Sequence, residues 1–153
     1  MIHYQSSEEI EGIKQGAEIL SRAHAEVAKL IKPGVTTESL DRVAEDYIKD
    51  HHGEPSFKGY NGFPGSLCIS VNEQVVHGIP SKKVILKEGD IVSIDFGVCY
   101  KGFYGDAAIT LTIGNIDAKR ADLLKVTRES LYKGIDQARV GNRINDISTA
   151  VQS

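Results

Sequence analysis

The stretch "DIVSIDFGVCYKGFYGDAAIT", residues 90–110, decides the fold. It reads as two apolar strands meeting at Lys101-Gly102, and each arm carries one aspartate, Asp95 and Asp106. An ionised carboxylate costs several kcal/mol to bury unless a positive group compensates it. The question is therefore which face each aspartate takes. Alternation sets Ile91, Ser93, Asp95, Gly97 and Cys99 on one side, and Val92, Ile94, Phe96, Val98 and Tyr100 on the other. A two-residue turn at Lys101-Gly102 places Gly97 opposite Asp106 and Asp95 opposite Ala108. The aspartates then share a face as diagonal neighbours, with backbones roughly 7–8 Å apart. A bulge or an odd-length loop would separate them instead. Their face is lined by the small residues Ser93, Gly97 and Ala108, whereas the bulky face is the better core. Two readings stay open at this point: both carboxylates face solvent on the polar side of the sheet, or they form a platform for one or two divalent cations. Carboxylate-rich sites of the second kind suit Mn, Fe(II), Co or Zn in hydrolases, with ions about 3.5–4 Å apart.

Outside the hairpin, Ser6 or Ser7 is expected to open a first helix, with Glu9 placed to complete a capping box from Ser6, and it runs through Ile10, Ile13, Ala17, Ile19, Leu20, Val27 and Leu30. Lys32-Pro33-Gly34 stops it. A second helix starts at Thr36 or Thr37 and runs through Leu40, Val43, Ala44 and Ile48 to near Gly53. Residues 54–65 mix glycine and proline with Phe57, Tyr60 and Phe63, which marks a shaped loop. Short strands are expected at "SLCISVN" and around "QVVHGIP". Gly78 and Pro80 fix the chain just after His77, although a lone histidine between valine and glycine is more often a packed or surface residue. A long helix is expected from about Asp117 to Val140, burying Leu123, Leu124, Val126, Leu131 and Ile135. Another helix begins in "NRINDISTAVQS" and carries no stop signal. The order of elements suits one α+β domain over residues 1–153, with an antiparallel sheet covered by helices.

Bulk properties narrow the function. A net charge of −3 leaves no basic excess for nucleic acid. No apolar run approaches the roughly twenty residues of a membrane span. The polar, acidic start does not resemble a secretion signal, and Cys68 and Cys99 have no metal-type spacing. These features suggest a cytoplasmic protein.

Taken together, "KPG" after the first helix, "FKGYNGFPGSLCISVNEQVVHGIP", "EGDIVSIDFG" and "GFYGDAAITLTIG" resemble type I methionine aminopeptidases. The resemblance runs in order from about Ser7 to Gln152. It implies the first half, and a little more, of the pita-bread fold, in which two related α+β halves hold a metal site between them. It also implies a metallo-exopeptidase that removes the initiator methionine from nascent proteins using two divalent ions, with the ribosome as a possible partner. On that resemblance Asp95 matches a one-metal ligand and Asp106 the aspartate that bridges both ions. His77 matches the histidine that contacts substrate near the scissile amide. Tyr60, Phe63 and Cys68 match positions lining the methionine pocket. Asn61 departs from the pattern, because some members carry a histidine there. The family completes its site with one histidine and two glutamates of the second half, which residues 1–153 do not reach. His3, His24, His51 and His52 lie in or beside the first two helices and do not match the missing ligand. The chain is accordingly expected to be truncated, to be inactive alone, and to expose an apolar face open to self-association. Three alternatives carry less weight. A non-catalytic binding relative would normally lack Asp95, Asp106 and His77, and a proline-specific peptidase would normally carry a preceding domain. A half-fold dimer would bury each copy's open face against the other.

Overall fold

The computed structural model describes residues 4–153. The described chain divides into two compact units that part between Asn115 and Ile116. In the first, helix α1 (Ser7–Leu30) is followed by helix α2 (Thr37–Asp50), strand β1 (Glu54–Pro55), a 3-10 turn (Tyr60–Gly62) and strands β2 (Cys68–Val71), β3 (Ile91–Tyr100) and β4 (Phe103–Thr112). The expected capping box is present: the Ser6 hydroxyl accepts the Glu9 N–H, and the Glu9 carboxylate accepts the Ser6 N–H. Thr36 caps α2 by accepting the N–H of Ser39.

The sheet is antiparallel and is built around β3, which pairs with β1 and β2 along one edge and with β4 along the other. The β3–β4 register is the one the sequence suggests, with Asp95 opposite Ala108 and Gly97 opposite Asp106. Lys101 and Gly102 form the turn, both with positive φ (51° and 83°), the type I′ geometry whose twist matches the strands it joins. Val92, Ile94, Phe96 and Val98 are fully buried and pack with Leu20, Ala23 and Val27 of α1 and with Leu40, Ala44 and Ile48 of α2. One face of the sheet is therefore consumed by the core, and the aspartates project from the other.

Several expectations need correction. The segment around "QVVHGIP" is not a strand: Val75, Val76 and His77 are exposed, and Asn72 and His77 have left-handed φ values that interrupt an extended run. Within α1 the buried stripe is Gly16, Leu20, Ala23, His24 and Val27, whereas Ile10, Ala17 and Leu30 are exposed.

The second unit holds helices α3 (Ala118–Gln137) and α4 (Ile144–Gln152). The apolar side expected to be buried on α3 is largely open, with Leu123, Val126, Leu131 and Ile135 all exposed and Leu124 half-buried. α3 meets α4 at Gly134, where Val151 and Ile147 lie against the glycine. No described helix is long and apolar enough to cross a membrane.

Candidate metal and substrate site

The twin strands bring Asp95 and Asp106 together on the open face of the sheet, Asp95 half-buried and Asp106 exposed. Burial pushes the Asp95 carboxyl above the usual carboxylate range, and the neighbouring Asp106 adds to the shift through its charge and a side-chain hydrogen bond. His77 pulls in the opposite direction. Two carboxylates this close repel unless they share a proton or a cation, so the pair has the chemistry of a cation platform. Their donor set fits a divalent ion in part. Among the described residues no group of three or more His, Cys, Asp and Glu side chains converges to hold a metal.

Next to Asp95 lies a pocket of about 560 Å³, walled by Phe57, Tyr60, Asn61, Gly62, Phe63, Pro64, Cys68, His77 and Ile79. The sequence-designated residues Tyr60, Phe63, Cys68, His77 and Asp95 thus meet around one cavity. Asp106 is the diagonal neighbour of Asp95 on the same face of the sheet. Tyr60 is an exposed rim residue, Phe63 is half-buried, and Asn61 lines the wall with a left-handed φ of 48°. Cys68 is 5% exposed and pairs with Asp95 across the β2–β3 ladder. Burial, reinforced by the charges of Asp95, Asp106 and Asp41, pushes its thiol up to about 11. At neutral pH it is a protonated, apolar piece of wall and a poor nucleophile.

The loop carrying Tyr60 and Phe63 is tied down by α2. One oxygen of Asp41, Oδ1, accepts the backbone N–H groups of both Ser66 (2.7 Å) and Leu67 (2.8 Å). Glu45, one turn further along the same helix face, accepts from Lys58 Nζ (2.6 Å) and from Ser66 Oγ (3.2 Å). Between these anchors the loop closes on itself, as Gly59 N–H donates to Phe63 O and Phe63 N–H donates to Tyr60 O. Sequence reasoning missed Asp41 and Glu45. Their one signal was a pair of carboxylates four apart on an amphipathic helix, which does not name partners 13–26 residues away.

His24 was also unassigned. It is buried against Phe96 (ring centroids 4.1 Å apart), and its Nε2–H donates to the Ala107 carbonyl at 3.0 Å, just behind Asp106 on β4. Burial lowers its pKa, so it is a neutral core histidine and not a ligand.

Residues 11–153 match the model of metallopeptidase family M24. A protein named methionine aminopeptidase from Clostridium acetobutylicum is 51% identical over 152 residues, which are 99% of this chain and 61% of that protein. The crystal structure of methionine aminopeptidase from Thermotoga maritima superposes with a TM-score of 0.96 at 42% identity, covering 99% of this chain and 61% of that one. The corresponding structure from Rickettsia prowazekii gives a TM-score of 0.96 at 35% identity, again over 99% and 61%. The chain therefore spans about three fifths of the length of the relatives it matches. Its α+β sheet with covering helices is the first part of the pita-bread fold.

Proposed function

Since the chain belongs to metallopeptidase family M24, we propose that residues 1–153 are part of the single catalytic domain of an aminopeptidase that releases N-terminal methionine from peptides and nascent proteins. The observation that carries this reading is a mostly apolar pocket ending at the half-buried Asp95, with His77 on its wall. An unbranched apolar side chain would enter between Tyr60, Phe63 and Cys68, which would bring the amide that follows it towards His77 and Asp95. Size and polarity select here: Cys68 stays neutral and adds no charge, and the wall is fixed at both ends by Asp41 and Glu45. A cytoplasmic setting at the exit of the ribosome is the natural place for such a substrate.

Asp95 and Asp106 would hold divalent metal, in a dinuclear site of the Co, Mn, Fe(II) or Zn type. A histidine and two glutamates from the part of the domain beyond residue 153 would complete it, as the family resemblance implies. A metal bound there supplies Lewis acidity, polarising the scissile carbonyl and lowering the pKa of water. His77, on the pocket wall, would donate a hydrogen bond to the charge that develops on the substrate oxygen. Two carboxylates alone bind such a cluster poorly, because affinity needs ligand number and fixed geometry. The purified chain would accordingly turn over Met-Ala peptides weakly or not at all, with its open apolar helix face favouring self-association.

The test joins residue 153 to the remaining part of the Clostridium acetobutylicum relative, with Co²⁺ or Mn²⁺ supplied. The joined protein is expected to hydrolyse Met-Ala peptides, and Asp95→Asn and Asp106→Asn to abolish this while the protein stays folded. Robust turnover by the contaminant-free 153-residue chain, or by either Asn variant, would overturn the ligand assignment.

A further inference from the structure

The His77–Gly78 segment is not part of the sheet, yet His77 is held at the pocket wall with a φ of +58°, in the region that favours glycine. Something must hold it there, and the structure shows what does. Gly78 is buried and lies flat on β2, where its carbonyl accepts the Ile69 N–H at 2.8 Å and its N–H donates to Ser70 Oγ at 3.1 Å. The approach is so close that a methyl group at Gly78 would overlap the Ile69 carbonyl. Ser70 is 3% exposed and pairs with Ser93, so it shares the sheet face of Cys68 and Asp95 directly beneath the site.

We infer that Ser70 is a positioning residue for His77. Its hydroxyl captures the N–H of the peptide that follows the histidine, and with the Ile69 bond this clamps Gly78 at both of its polar backbone groups. The peptide plane between residues 77 and 78 is thereby fixed, and with it the direction in which the imidazole leaves the backbone. A serine meets the need because its oxygen is short and can accept from a donor that water cannot reach. Alanine in its place leaves the Gly78 N–H buried without a partner, and the segment relaxes away from the strand. The inference rests on the reading of His77 as a substrate-contacting group, and the experiment separates the two.

The test uses Ser70→Ala, Ser70→Thr, His77→Ala and the double variant Ser70→Ala/His77→Ala in the joined protein. Amide exchange at Gly78 is read alongside kcat and KM for a Met-Ala peptide. Ser70→Ala is expected to raise Gly78 exchange at least tenfold while the Ile94 amide stays protected. It is expected to lower kcat about tenfold with KM within twofold. Ser70→Thr, which keeps the hydroxyl, recovers most of both. In the His77→Ala background the alanine at position 70 adds no further loss, because its effect passes through the histidine. If the two losses multiply, or if Ser70→Ala leaves kcat unchanged while His77→Ala lowers it, the positioning role is overturned and the reading of His77 survives. Full activity in His77→Ala overturns that reading and the inference with it.

Discussion

Replacing Asp41 by alanine is expected to cost the fold more than any loss of surface charge could, because of what its Oδ1 atom accepts. Ser66 and Leu67 are both fully buried, and their N–H groups converge on this one oxygen at 2.7 and 2.8 Å. Each buried donor left without an acceptor costs about 1–3 kcal/mol. Part of that is returned, since burial and the nearby Glu45 charge push the Asp41 carboxyl above its ordinary range and its ionised form is already disfavoured. A net loss of about 2–4 kcal/mol is the result for Asp41→Ala, a large share of the roughly 5–15 kcal/mol that stabilises a domain. Asparagine behaves differently. Both bonds end on a single oxygen, and a carbonyl oxygen has two lone pairs, so Asp41→Asn keeps both acceptor interactions and removes the buried charge. It is expected to lie within about 1 kcal/mol of the parent at pH 7.

The sign of the pH dependence follows. A carboxyl whose pKa is raised on folding binds its proton more tightly in the native state, so the parent loses stability as pH rises through the window above the ordinary value of 3.8. The asparagine variant, which does not titrate, gains on the parent over the same window. Urea unfolding followed by circular dichroism at several pH values measures this, with a midpoint shift on the order of 1–2 M expected for alanine. If Asp41→Asn is as damaging as Asp41→Ala, the charge and not the acceptor geometry holds the loop, and the reasoning fails.

Two other outcomes follow from the same wall. Hydrogen bonds from Lys49 and Lys58 hold the Glu45 carboxyl down at about 2, so its contribution is complete above the ordinary value of 4.5 and is lost as pH falls towards 2. Glu45→Gln should flatten the acid limb of the stability profile between those values, and an unchanged limb would show that the clamp does not matter to folding. Cys68, buried and with its thiol at about 11, should resist iodoacetamide at pH 8 while the half-buried Cys99 is modified first. Peptide mass mapping after brief alkylation reads the order, and equal labelling of both would mean that the pocket wall opens in solution.

What could be read from the sequence is what short-range rules determine. The Lys101-Gly102 turn fixes the register of twenty strand residues, and alternation then assigns every side chain of β3 and β4 to a face. The Ser6–Glu9 capping box and the Thr36 cap are equally local. Where the reading failed, a distant partner decided the outcome. Val75 and Val76 have strong strand propensity, but they are exposed, and the segment touches β2 through the backbone of Gly78 and not through a ladder. Strand β1 escaped notice because two residues carry no periodicity; Pro55 is tolerated because β1 lies at a sheet edge where a missing N–H costs nothing. The apolar stripe of α3 was read correctly as a stripe, but a stripe records only that a partner surface is wanted, not that residues 116–153 supply it. The site divides along the same line. The bulky residues at 92, 94, 96 and 98 claim one side of the sheet for the core, which leaves Asp95 and Asp106 together on the other. The residues that hold the pocket against that side, Asp41, Glu45 and Ser70, act on backbone and side-chain groups 8–26 residues away, partners that no local pattern names. The chemistry of such a site is therefore legible before its scaffolding, because two acids on an apolar hairpin stand out by themselves, whereas a serine that fixes a histidine is recognised only by the N–H it accepts.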